Sequence, residues 1–211
     1  MKNLREIGQV KLVQLQPTGL IIDAPELPAG YFYDASRRVE VDQLTITTSG
    51  IEATTAAGKH VLDIHHLNHP DKAYDDDDLI CIGFTSHYEA MRGRFGAHMV
   101  DGIAGENIII DCDHEIWPED LGQQVVIENA HTGHQMRLEM VSHANPCQEF
   151  SVFALDHDPH KKVPAAKMKA TLQFLGNGRR GFLLVMQEGQ ETAMVQPGDK
   201  VYVVEASEPA P

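Results

Sequence analysis

Nowhere in the 211 residues is there a run of about 18 apolar side chains, so no membrane-spanning helix is expected. The opening Met1-Lys2-Asn3-Leu4-Arg5 is not followed by the apolar segment of a secretory signal, which makes a cytoplasmic location the expectation. Basic residues are scarce: 17 Lys and Arg stand against 31 Asp and Glu, a formal net charge of -14. A duplex or RNA binder needs cations for its phosphates, so no nucleic-acid surface is expected. Cysteine is scarce too. Cys81, Cys112 and Cys147 are odd in number, widely spaced and form no Cys-x-x-Cys. That argues against a disulfide scaffold and a thiolate zinc site and leaves reduced thiols. An iron–sulfur cluster has no ligands here. No P-loop, Gly-x-Ser-x-Gly or dinucleotide fingerprint is present.

What remains is an ordinary globular composition, 42% apolar and 23% charged, in a chain long enough to bury a core without covalent staples. Short alternating or β-branched runs dominate: Val10–Leu12, Gly19–Asp23, Val39–Val41, Leu44–Thr47, Asn107–Asp111, Val125–Ile127, Met136–Met140, Phe182–Met186 and Val201–Val204. Their Gly, Pro and Asp borders suit turns between antiparallel strands. Helices are fewer. Ser86-His87-Tyr88-Glu89 reads as a capping box opening a helix that ends near Phe95. Pro164 suits the first position of a second helix ending near Gly176. A short helical turn is expected after Cys147. Asp23–Tyr33 and His60–Asp78 look irregular. No linker divides the chain, so the expectation is one mostly-β domain over residues 1–211, with a core at about 7–204 and a flexible tail at 205–211.

Four constellations could carry chemistry. In His143-Ala144-Asn145-Pro146-Cys147, proline holds Asn145 extended and places the thiol between a strand and a helical turn. Helix N–H groups there favour thiolate, the form that attacks electrophiles and binds soft metals. The bland alternative is a buried structural cysteine. His60, His65, His66 and His69, with Asp75–Asp78, offer ligands to a divalent ion, or else form a solvated acidic loop. Gly102-Ile103-Ala104-Gly105-Glu106-Asn107 would let a backbone approach a ligand, or is an ordinary turn. Gly176–Gly181, carrying Arg179 and Arg180, is either an anion-binding loop or a helix cap leading into a hairpin.

Taken in order, three of these segments resemble the MOSC family, the molybdenum cofactor sulfurase C-terminal domains. The resemblance lies in Gly105-Glu106-Asn107-Ile108, Asn145-Pro146-Cys147, Gly178-Arg179-Arg180-Gly181 and Pro197-Gly198-Asp199. His69-Pro70-Asp71-Lys72-Ala73 resembles a segment of the bacterial members linked to resistance to N-hydroxylated bases, with Asn68 and His69 where those relatives have two glycines. The resemblance implies a MOSC-type β-barrel with a few peripheral α-helices and a pocket for molybdenum cofactor. It implies Cys147 as reactive residue and molybdenum ligand. By the same carry-over Gly105, Glu106 and Asn107 would line the pocket, Arg179 would face the anionic end of the cofactor, and Asp71 and Lys72 would flank it. The activity implied is reduction of N-hydroxylated compounds with a partner electron-transfer reductase. The alternative is a non-catalytic sulfur carrier that takes a persulfide on its cysteine from a cysteine desulfurase.

Overall fold

The computed structural model describes residues 3–72, 80–187, 189–190 and 192–205. The Asp75–Asp78 run and the tail from 206 onward lie outside the described residues. The first half of the chain holds β1 (Leu4–Leu15), β2 (Ile21–Asp23), β3 (Tyr31–Tyr33), β4 (Val39–Val41), β5 (Leu44–Thr47), β6 (Gly50–Thr54) and β7 (His60–Leu62). The middle holds β8 (Ile80–Phe84), α1 (Thr85–Phe95), β9 (Ile108–Asp111), α2 (Pro118–Leu121), β10 (Gln124–Glu128) and β11 (Gln135–His143). The last part holds α3 (Gln148–Ala154), α4 (Ala165–Leu175), β12 (Phe182–Met186), β13 (Ala193–Val195) and β14 (Lys200–Val204).

Seven strands close into a barrel in the order β1-β14-β10-β11-β12-β8-β9, with β9 returning to β1. Every pairing is antiparallel except β8 with β9, which α1 connects. Strand β1 serves two neighbourhoods. Its first part pairs with β14, its later part with β9 and β4, and register shifts near Gly8 and Val10 bend it between them. Such bulges turn a strand around a barrel rim. A second sheet, β13-β5-β6-β7, packs its Leu44, Ile46, Ile51 and Val195 into the same core. The Asp23–Tyr33 stretch, expected to be irregular, holds the last residue of β2, the hairpin loop and all of β3.

The barrel interior follows from alternation. Phe182 and Leu184 of β12, Val201 and Val203 of β14, and Ile80, Ile82 and Phe84 of β8 all point inward and are fully or almost fully buried. Each such side chain contributes about 1.5–3 kcal/mol of burial. Strand β9 is apolar at successive positions because both its faces are covered. Ile108 and Ile110 fill the barrel, while Ile109 joins a second core with Tyr88, Met91, Met99, Phe150 and Leu175 beneath the helices. Among the described residues no helix is long and apolar enough to cross a membrane.

The expected capping box does not form. Phe84 is held in β8 by the barrel and is the N-cap, so the helix starts two residues earlier than a Ser86 cap would give, at Thr85, and Ser86 sits inside its first turn. The Thr85 hydroxyl instead donates to Asp111 Oδ1 at 3.0 Å and accepts the Cys112 N–H. Pro164 stands just before α4 as its N-cap, and the helix ends at Gly176 as expected.

Candidate functional site

A cleft of about 390 Å³ opens where the end of β11, the start of α3 and the turn before β9 meet. Among the described residues its walls include Cys147, Arg180, Gly105, Tyr33, His65 and Cys81. Cys147 is the N-cap of α3 and accepts the Phe150 N–H at 3.4 Å. The helical turn foreseen after it is present. Its N–H does not make the thiol acidic, however. Burial pushes the Cys147 thiol above its ordinary range, and the opposing pull of the Arg180 guanidinium and the Phe150 N–H is smaller. The resting sulfur is therefore a thiol in a half-buried wall.

The guanidinium beside this thiol belongs to Arg180 rather than Arg179. Arg180 donates to Asn145 O at 3.0 Å and to Ala104 O at 3.1 Å, and lies over the Phe150 ring. It thereby ties the Asn-Pro-Cys turn to the glycine turn before β9. Its Nε is buried and has no partner among the described residues. Arg179 points the other way. It pairs with Glu115 at 2.9 Å, donates to Phe174 O at 2.6 Å and stacks on Trp117 and Phe174. Adjacent residues of a tight turn face opposite sides. Positive φ at Gly178 and Gly181 sets which arginine faces inward.

The glycine motif divides in a similar way. Gly105 lines the cleft with φ of +98°, its carbonyl held by Gln16 Nε2 at 2.6 Å. Glu106 lies behind the wall, fully buried, and accepts the Tyr88 hydroxyl at 2.6 Å. Burial raises its pKa. Asn107 is likewise buried and braces strands: Oδ1 accepts the Cys81 N–H at 2.9 Å, and Nδ2 donates to Asp63 Oδ2 at 2.9 Å. Neither Glu106 nor Asn107 is among the cleft-lining residues.

Asp71 and Lys72 also stand apart from the lining, their amides turned onto His69. Asn68 and His69, which replace two glycines of the resembling segment, are not in the wall either. The four histidines of the presumed metal loop do not converge. His60 meets Glu52, His65 meets Asp63, and His69 reaches Pro17 O, while His66 Nδ1 accepts the Asn68 N–H. Among the described residues the one cluster with metal-ligand spacing is Cys112, Asp113 and His114, elsewhere on the barrel.

Cleft residues that belonged to no candidate motif include Gln16, Tyr33, Cys81 and Ser142, whereas Arg180 was expected only as part of the anion-binding loop. His65 was expected only as a metal ligand. For Arg180 the signal was its place in the same loop as Arg179. Cys81 and Tyr33 left none, because only barrel closure brings β8 and β3 to the Asn-Pro-Cys turn.

The profile of the MOSC domain matches residues 65–202. The chain belongs to the MOSC domain family. Members of this family are generally associated with the molybdenum cofactor. No curated relative matches the chain by sequence. Among solved structures, a hypothetical protein is 13% identical, with 97% of this chain and 70% of that one covered and a TM-score of 0.53. The YUAD protein from Bacillus subtilis is 13% identical over 93% of this chain and 97% of that one, with a TM-score of 0.49. YiiM from Geobacillus stearothermophilus is 15% identical over 96% and 76%, with a TM-score of 0.47. The first of these likenesses speaks to the fold alone, and the closed barrel with peripheral helices is of the MOSC type.

Proposed function

We propose that the Cys147 cleft binds molybdenum cofactor and that the protein reduces N-hydroxylated substrates, hydroxylamino bases or amidoximes, with electrons from a partner reductase. The observation that carries this reading is the convergence of three separate motifs, represented by Cys147, Arg180 and Gly105, on one cleft. The residues suit the group. About 390 Å³ lies within the usual range for small-ligand sites. The thiol is a soft ligand suited to a thiophilic metal. The partnerless Arg180 Nε is a donor in want of an anionic acceptor. Gly105, without a side chain, leaves room for close backbone approach.

Bound in this cleft, molybdenum cofactor would supply two-electron redox chemistry. The protein's part is to hold and tune. Cys147 would hold the metal as a thiolate, the coordinating form, and Arg180 would offset the resulting charge. Tyr33, anchored through its hydroxyl to Ile103 O and edge-on to Phe150, forms an apolar wall that limits water.

The test is expression in a cofactor-competent host, with molybdenum and pterin measured per chain in wild type and Cys147→Ser. Stoichiometric metal that is lost in the serine variant, with unchanged circular dichroism, supports the reading. No metal in the wild type, or equal loading in both, ends it. A gain of one sulfur atom in intact mass after incubation with a cysteine desulfurase, lost in Cys147→Ser, would put the sulfur-carrier role in its place.

A further inference from the structure

One residue in the cleft wall is aimed by a carboxylate that lies behind it. Asp63 is fully buried, and both its oxygens are saturated with donors. Oδ2 accepts the Gln16 N–H at 2.7 Å and Asn107 Nδ2 at 2.9 Å. Oδ1 accepts the His65 N–H at 3.0 Å and lies 2.7 Å from the His65 ring Nδ1. Three fixed N–H donors already face this carboxylate as an acceptor, so Nδ1 is assigned as the ring nitrogen that carries hydrogen. In the neutral ring the lone pair is then on Nε2. His65 lines the same cleft as Cys147. A buried carboxylate fixing the tautomer of a cleft histidine is the arrangement that readies an imidazole for proton transfer.

We propose that His65 is the proton donor for N–O bond cleavage in this cleft, with Asp63 as its positioning residue; this rests on the reductive reading above. Two electrons from the partner reductase break the N–O bond of the N-hydroxylated base. His65 enters as the imidazolium, protonated from solvent on Nε2; the hydroxyl oxygen leaves as water with that Nε2 proton, and the nitrogen takes a second proton from solvent to become the amine. His65 is reprotonated from solvent. Asp63 keeps its hydrogen bond to Nδ1 throughout and stabilises the imidazolium.

Two measurements test this. The first needs no cofactor: nitrogen-15 histidine NMR on the purified protein should show neutral His65 as the Nδ1–H tautomer. An Nε2–H tautomer overturns the proposal. The second compares an N-hydroxyl substrate with its N-acetoxy counterpart, whose acetate leaves without a proton. His65→Gln at wild-type molybdenum content should lose about 100- to 1000-fold in kcat on the N-hydroxyl substrate, with KM within about threefold. On the N-acetoxy substrate the loss should stay below about fivefold. Equal losses on both overturn the role of His65 and leave the reductive reading standing. A metal-loaded wild type that reduces neither substrate overturns the reductive reading itself, and the proposal with it.

Discussion

Asn107 offers the sharpest separation of a structural role from a ligand-binding one. Its side chain joins β8, β9 and the Asp63 loop through the Cys81 N–H and Asp63 Oδ2. Asn107→Ala leaves a backbone N–H without its partner, at about 1–3 kcal/mol. It also strips one donor from a buried carboxylate, worth about 1.5–3 kcal/mol for a bond to a charged group. The two losses share one neighbourhood and do not simply add, so the expected destabilisation is about 3–5 kcal/mol. That is a large part of the ~5–15 kcal/mol that holds a typical domain folded. Asn107→Asp should be worse at neutral pH, because it sets a second carboxylate against Asp63 in the interior. One of the pair must then hold a proton, with a folded pKa raised above the unfolded one. The penalty is thus full at neutral pH and shrinks as pH falls toward the unfolded carboxylate value of about 4. Urea titrations followed by circular dichroism give both numbers, provided the m value is unchanged. A loss under about 1 kcal/mol in the alanine variant, or an aspartate variant as stable as wild type at pH 7, would refute the bracing role.

Two further outcomes follow from the burial of charged and titratable groups. Arg180→Gln should move the pH midpoint of Cys147 alkylation upward, since the guanidinium opposes the burial that raises this thiol, whereas Arg179→Gln should leave it in place. Peptide mass spectrometry at Cys147 reads both, and a shift in the Arg179 variant alone would reverse the assignment. His87 is fully buried against Phe84 and Trp117, and burial pulls its pKa from 6.5 down to about 4. Among the described residues neither ring nitrogen finds a partner in good geometry, although the Ile116 backbone slightly favours the charged ring. The unfolded chain takes up this proton first, so stability is whole above the unfolded value and falls as pH drops from about 6.5 toward 4, by ~3 kcal/mol in all. His87→Phe should flatten that acid limb and match wild type at pH 7 to within about 1 kcal/mol. An acid limb equally steep in both proteins would exclude His87 as its source.

The strands that line the barrel were legible because alternation is local. Phe182–Met186 and Val201–Val204 show their buried face in the residues themselves, and Pro146 marks the strand end that presents Cys147. The apolar run Ile80–Phe84 carried the same kind of signal and was not read as a strand. What could not be read was which distant segments meet. Arg179 and Arg180 are neighbours in one loop, and only the left-handed turns at Gly178 and Gly181 decide that Arg180 faces the thiol while Arg179 stacks on Trp117. Asn107 looked like a ligand contact because its motif resembles one, yet its amide is spent on Cys81 and Asp63, partners 26 and 44 residues away. His65 could be singled out by residue type, but its tautomer depends on a carboxylate whose other donors come from the residue just before β9 and the residue just after β1. Sequence by itself therefore determined the β-rich class, the cysteine at a strand end and the family resemblance, since these rest on short-range pattern. The membership of the cleft, the direction of each arginine and the protonation of Cys147 were decided by barrel closure alone, because burial and long-range pairing do not exist until the strands have met.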